Sequence, residues 1–484
     1  MDSKEKVLGN FIWKFFERSG AQIVSFIVSV VLARLLAPEY YGTVALVTLI
    51  TAILQVFVDG GMANALIQKK DTDELDYSSV FYFNVCFCLV LYTALFFAAP
   101  LIAQLYRVPE LTPMVRVLGL SLIFSGFRNV QQAYVSKTMQ FKRFFFSTLG
   151  STIASAIVGI SLAYAGYGVW ALVAQQLVNA AVSTAILWLT VKWHPRKIFS
   201  LQRLKGLLSY GWKLLVSELL DTGYNKLREF IVGFKYGTVD LALYNKANTF
   251  PTLLVDNINT SVMNVMLPVL SSKQDDSSKV YELSRRTLTL SCYIIMPLMA
   301  GLAAVAEPMI IFLLTDKWIG CVPYIRIFCL AYAFFPVHTA NLNALKAMGR
   351  SDLFLLLEII KKSIALTLIV LVLPYGPFAL ALSFAASSLM EHFINSQAVK
   401  KVIGYSYLRQ LRDILPTLIL SLLMFAAVSC LNRFELSPIL TLLIQIPAGV
   451  GIYVLGSALL KINSFSFILE MLKKFLHRKP AVEA

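Results

Sequence analysis

Apolar stretches close to 20 residues long recur along the whole sequence, separated by short polar connectors. Wound as an α-helix, a stretch of that length crosses a hydrocarbon core about 30 Å thick. The pattern predicts spanning helices at 12–36, 41–59, 78–105, 111–133, 144–165, 168–191, 207–234, 240–270, 286–315, 322–345, 352–374, 376–399, 410–431 and 437–460. The expected fold class is therefore an all-α polytopic membrane protein of about fourteen transmembrane helices.

The connectors test that count. Taken alternately, one set carries 27 Lys and Arg, and the other only Arg107, Lys235, Lys317 and Arg433. Translocation disfavours Lys and Arg close to helix ends, so the basic set faces the cytoplasm and both termini lie with it. A missed or invented span would break the alternation, and it holds throughout. Residues 462–479 mix apolar and basic side chains and are expected to lie along the inner membrane surface.

Composition agrees. Of 484 residues, 58% are hydrophobic and 14% charged, against about a quarter charged in a soluble domain. The net charge of +16 is mostly the orientation signal plus attraction to anionic head groups. Its dispersal over short loops suits no nucleic acid. The six cysteines are scattered without CxxC or zinc spacing, so free thiols and no metal site are expected. No small-residue cleavage site follows the first apolar stretch, which is expected to remain as the first span. The run nearest to a phosphate loop, 206–213, has Trp212 where the lysine should stand, so nucleotide hydrolysis is not expected. No cofactor is expected; a proton or sodium gradient, or downstream consumption of the product, remains as the energy source.

A weak repeat divides the chain. Trp13-Lys14 returns as Trp212-Lys213, Gly42-Thr43-Val44 as Gly237-Thr238-Val239, and Val58-Asp59 as Val255-Asp256, all at nearly one offset. Parallel repeats of this kind build transporters with the substrate site between the halves. The expected organisation is a six-helix lobe at 1–200, a second at 201–402, two further helices within 403–461 and the basic tail at 462–484.

Charges inside spans are costly and usually face a cavity or one another. At 100° per residue, Lys14, Glu17 and Arg18 share one face of the first span. Lys213, Asp221 and Arg228 form a comparable stripe on the seventh, with Glu218 beside it. Arg128, Lys246, Lys361 and Lys362 lie deep in other spans, with Glu358 placed to pair with Lys362. Near helix ends, Lys14, Lys213 and Arg18 can equally snorkel to the head groups. Basic groups outnumber acidic ones, which suits an anionic cargo. The candidate cargo-binding residues are Lys14, Arg18, Arg128, Lys213, Arg228, Lys246, Lys361 and Lys362. Glu17, Asp59, Glu218, Asp221 and Glu391 are candidates for ion coupling, although Asp59-Gly60-Gly61 also reads as a helix end. His338 with Asn341 and Asn343, and Glu391 with His392 and Asn395, form further polar patches in spans ten and twelve.

Motifs in order along nearly the whole chain carry a family resemblance: Val31–Leu36 into Pro38-Glu39-Tyr40-Tyr41-Gly42, Asp59-Gly60-Gly61, Ala65–Lys70, Phe141-Lys142-Arg143, Leu243–Ala247, Met266–Ser271, Asp316-Lys317-Trp318 and Ala347–Arg350. On these residues the chain resembles Wzx-type polysaccharide flippases, the exporters of lipopolysaccharide, colanic acid and teichuronic acid repeat units. Leu241-Ala242-Leu243-Tyr244 departs by Ala where relatives often have Gly. The resemblance implies a MATE-like bundle of two lobes. It also implies alternating-access transfer of a polyprenyl-pyrophosphate-linked oligosaccharide across the bacterial inner membrane, with basic lobe residues meeting the pyrophosphate or acidic sugars. Expected partners are that lipid-linked anionic oligosaccharide, membrane lipids, and the polymerase and glycosyltransferases on either side of it. A MATE-type drug exporter would be expected to have an acidic, aromatic cavity. An enzyme acting on the glycan would need a large outer loop, which is missing from this pattern. A peptidoglycan-precursor (lipid II) flippase differs mainly in cargo.

Overall fold

A computed structural model describes residues 20–59, 61–434 and 436–476. They form helices α1 (Gly20–Leu35), α2 (Pro38–Asp59), α3 (Met62–Gln68), α4 (Glu74–Tyr106), α5 (Leu111–Lys137), α6 (Phe141–Tyr164), α7 (Val169–Thr190), α8 (Leu201–Lys235) and α9 (Thr238–Ser271). There follow α10 (Ser277–Ala304), α11 (Ala306–Leu314), α12 (Cys321–Ala333), α13 (Phe335–Ala347), α14 (Ser351–Val372), α15 (Pro377–Ile403), α16 (Tyr407–Cys430), α17 (Pro438–Leu459) and α18 (Asn463–Leu476). Eleven helical segments among the described residues are long and apolar enough to cross a membrane. The other three expected spans are the first, described from Gly20 onward, and α8 and α14, which are set apart by the charges they carry.

Local signals explain the boundaries. Asp73 caps α4, accepting a hydrogen bond from the Asp76 amide at 2.9 Å while Asp76 reaches back to the Asp73 amide, a capping box. Asp276 caps α10 through the amides of Ser278 and Lys279, both at 3.1 Å. The tenth span is broken between α12 and α13, where Pro336 stands in the first turn of the new helix and offers no N–H to continue the old one. Pro100, Pro251, Pro268, Pro297, Pro416 and Pro447 lie inside long helices, as neighbouring helices in a membrane bundle allow.

The chain divides into two units, 1–242 and 243–484. In the first, the connectors the sequence groups together meet at one end. Lys69 pairs with the fully buried Asp76 at 2.5 Å, and Arg203 reaches Asp73 at 3.4 Å. Lys137 donates to the carbonyls of Leu66 and Lys69 and to Thr72, and Trp193 donates to Glu74 at 3.0 Å. These ties bind connectors 2–3, 4–5 and 6–7 into one basic face. At the other end Tyr40 lies against Gly168, joining two connectors of the neutral set. The repeat places α8 at the head of the second half, yet in space it packs on α2, α3 and α4 of the first unit.

The second unit has the same polarity. Arg285 grips Asp413 with two hydrogen bonds of 2.8 and 2.6 Å, and Tyr405 donates to the same carboxylate at 2.8 Å. At this basic end α18 folds back, with Arg286 3.8 Å over the Phe467 ring and Phe465 and Ile468 on the apolar cluster of α10, α16 and α17.

Candidate functional site

Three of the candidate charges of the first unit, Asp59, Arg128 and Glu218, come within electrostatic range of one another. Helix α2 stops at Asp59, ahead of Gly61. The buried Asn129 side chain of α5 donates to the Val58 carbonyl at 2.5 Å. That bond fixes the register of the two helices, so the next residues, Asp59 and Arg128, come within electrostatic reach of each other. Gln55 donates to Asp59 Oδ2 at 2.8 Å. Arg128 Nη1 donates to Ser183 Oγ of α7 at 3.4 Å, and Ser183 lies 3.1 Å from Ser147 of α6. The buried Arg128 Nε has no hydrogen-bond partner among the described residues. A guanidinium carries five N–H donors, and this one has a single long bond. Glu218 of α8 adds a second carboxylate within range of Asp59, with Asp221 beyond it. Nine helical steps separate Arg128 from the end of α5 at Lys137, which puts it about 14 Å in from that helix end.

The stripe expected on α8 is split. Lys213, Glu218 and Asp221 are exposed, whereas Arg228 is buried. Asn225 donates to Asp221 at 3.1 Å, and Lys226 pairs with Glu229 at 2.7 Å. The reason for the split is packing. Gly211 faces Gly61, where a Cβ on either would stand within 2.9 Å of the other's backbone, so the helix turns Trp212 and Lys213 outward. Lys14, Glu17 and Arg18 lie outside the described residues.

In the second unit each candidate charge has its own setting. Lys246 of α9 is buried, with its ammonium 5.7 Å from the Trp318 ring, within the range of a cation–π contact. Lys361, only 3% exposed, meets Glu358 at 2.5 Å; Lys362 is half-buried. The patches expected on spans ten and twelve join: His338 Nδ1 lies 3.4 Å from Glu391 Oε2 and 2.9 Å from Asn395 Nδ2. Sequence reasoning missed the buried pair of Asn341 and Gln410, which exchange two hydrogen bonds of 3.0 Å. It also missed Arg285 with Asp413. Both partners belong to α16, which the repeat sets aside as an appendix; an acidic residue among the basic ones at the head of that span was the available signal. Among the described residues no three His, Cys, Asp or Glu side chains are grouped closely enough to hold a metal ion.

Helices of spanning length, with charges held inside them, define a polytopic membrane transporter. The chain belongs to the polysaccharide biosynthesis protein family, whose model matches residues 31–323. It is similar to the succinoglycan biosynthesis transport protein ExoT of Rhizobium meliloti (strain 1021), 25% identical over 71% of this chain and 70% of that one. It is also similar to the lipopolysaccharide biosynthesis protein WzxC of Escherichia coli (strain K12), 22% identical over 87% and 88%. Its fold is shared with the lipid II flippase MurJ in an inward closed conformation, at TM-score 0.73 and 18% identity over 94% of this chain and 98% of that one.

Proposed function

We propose that this chain is a flippase carrying a polyprenyl-pyrophosphate-linked saccharide repeat unit across the bacterial inner membrane by alternating access of two lobes, with both termini in the cytoplasm. Kinship with a succinoglycan transport protein and a lipopolysaccharide biosynthesis protein supports the cargo class. The observation that carries the reading is Arg128, a cation inside the bundle whose donors are largely unused. A guanidinium in such a place pairs well with a phosphate, two oxygens at a time. Its position in the half of the bundle nearer the basic face suits capture from the inner leaflet. Asp59 offsets part of its charge when cargo is absent, and Glu218 and Asp221 offer carboxylates for a coupling proton or sodium ion. Glycosyltransferases that build the cargo and a polymerase that consumes it are the partners this role requires.

The test is transport of a labelled polyprenyl-pyrophosphate oligosaccharide in proteoliposomes under imposed proton and sodium gradients. Arg128→Gln is expected to lose most transport, and Arg128→Lys to keep part of it. Wild-type protein that moves no cargo under any gradient would refute the proposal.

A further inference from the structure

The first unit contains a second polar feature, separate from the charged cluster. A cavity of about 340 Å³ opens between α1, α6 and α7, lined among the described residues by Ser25, Val28, Thr152, Ser155, Gln175, Gln176 and Asn179. Counted along their helices at 1.5 Å per residue, the polar residues lie roughly 9–18 Å below the neutral ends. Asp59 is near the opposite end, and Arg128 lies between, its partner Ser183 one helical turn from Asn179 on α7.

Among the described residues the lining has hydroxyls and amides but no charge. Thr152 and Ser155 spend their hydroxyl protons on the carbonyls of Thr148 and Thr152, at 2.7 and 3.0 Å, which leaves their oxygens as acceptors. Asn179 makes only long contacts, 3.5 Å to Ser151 and 3.4 Å to Ser155. The amides of Gln175 and Gln176 take no hydrogen bond among the described residues, although each has two donors and an acceptor. Gln176 is exposed and Gln175 partly so, so their amides are open to hydrogen-bond a molecule that enters the cavity. Without a counter-charge the cavity does not select an ion. Mixed neutral donors and acceptors match the hydroxyl groups of a sugar, and the volume admits one residue of a glycan chain.

We infer that this cavity is the saccharide-recognition site of the first unit, holding one neutral sugar residue of the cargo through Gln175, Gln176 and Asn179. The inference rests on the flippase reading and deepens it: phosphate and sugar are recognised by separate, neighbouring groups. A site built to hydrogen-bond hydroxyls discriminates strongly against ligands lacking them, because its polar groups are then left unpaired. The glutamines would therefore set which repeat unit is accepted.

The test is the double variant Gln175→Leu with Gln176→Leu. Leucine keeps the Cβ and Cγ with which Gln175 packs near Gly159, and neither amide supports the fold by a hydrogen bond. A melting curve at or above wild type verifies folding; should it fall, Gln175→Met with Gln176→Met, which keeps the length of the side chain and removes the amide without adding charge, replaces it. The half-saturating concentration of the oligosaccharide-bearing lipid is expected to rise roughly tenfold or more for two lost hydrogen bonds. That of a polyprenyl pyrophosphate without sugar should stay unchanged. Equal affinity for the oligosaccharide lipid, or an equal loss for both lipids, would overturn the inference and leave the flippase reading standing. Binding of the free oligosaccharide to purified protein separates the two claims. If wild type transports nothing but binds the glycan, and the variant does not, the flippase reading falls and the cavity assignment survives. Binding unaffected by the variant, or none at all, overturns the assignment.

Discussion

Glu358 and Lys361 offer a sharp test of how charge is held in the second unit. Lys361 is 3% exposed and its ammonium is 2.5 Å from Glu358. At an effective dielectric of about 20, two unit charges at that distance attract by about 7 kcal/mol, most of which offsets the cost of taking them out of water. Glu358→Gln removes the compensation and strands the cation. Breaking one side of a buried pair typically costs 3–5 kcal/mol, and we expect the lower end, about 3 kcal/mol, because Glu358 is itself 28% exposed. For a unit of this size that corresponds to a fall in melting temperature of about 6–12 °C, read by thermal melting of the purified protein in detergent. Glu358→Gln with Lys361→Met removes both charges and should recover most of the loss, since a buried pair replaced by apolar groups is often neutral. A single variant melting within 1 °C of wild type, or a double variant no better than the single, would refute the argument.

Other outcomes follow from the same structure. Asn129→Leu should leave the buried Val58 carbonyl without its donor, at about 1–3 kcal/mol; because the bond also aligns Asp59 with Arg128, the half-saturating cargo concentration should rise with the loss of stability, and a variant that melts lower yet transports with unchanged affinity would separate those roles. Gly61→Ala should destabilise, because the new Cβ would stand 2.8 Å from the Gly211 carbonyl oxygen and backbone cannot step aside; a melt matching wild type would contradict the close approach. The Asp73 carboxyl is held below its ordinary value, chiefly by the Asp76 amide with help from Arg203 and Lys69. A carboxyl whose folded value is depressed gives stability that is present above its unfolded value, near 4, and is lost as the pH falls further. Melting temperature should therefore drop below pH 4, and Asp73→Asn should flatten that part of the profile.

Much of this was legible in the sequence because the solvent imposes it. Apolar length located the long helices, and the alternation of Lys69, Lys137 and Arg203 with the neutral connectors anticipated which loops meet at one end. The Asp59-Gly60-Gly61 helix end was legible too, since glycine punctuation is a local signal. What stayed hidden depends on which residues of distant helices face one another. Periodicity put Lys213 and Arg228 on one stripe, but only the Gly61 and Gly211 contact decides that one turns outward and the other inward. Neither the Asn129 bond to a backbone carbonyl nor the meeting of Asn341 with Gln410 leaves any trace in spacing. The cavity residues on α6 and α7 passed unnoticed for a different reason: serine, threonine and glutamine in a span are inexpensive enough to attract no attention singly.

The seam between α2 and α8 has a mechanical consequence. Just past α2, Gly61 meets Gly211 of α8 as bare main chain; near the other end Gly233 of α8 receives Leu46 of α2, while Gly42 of α2 abuts the Thr238 carbonyl at the start of α9. Interlocked side chains must change rotamer before two helices can part, and they surrender rotational freedom when the helices close. Glycine has no such freedom to lose. Contacts of this kind behave as a bearing: they fix how near the helices come without latching them, so separation and return meet little friction from side chains.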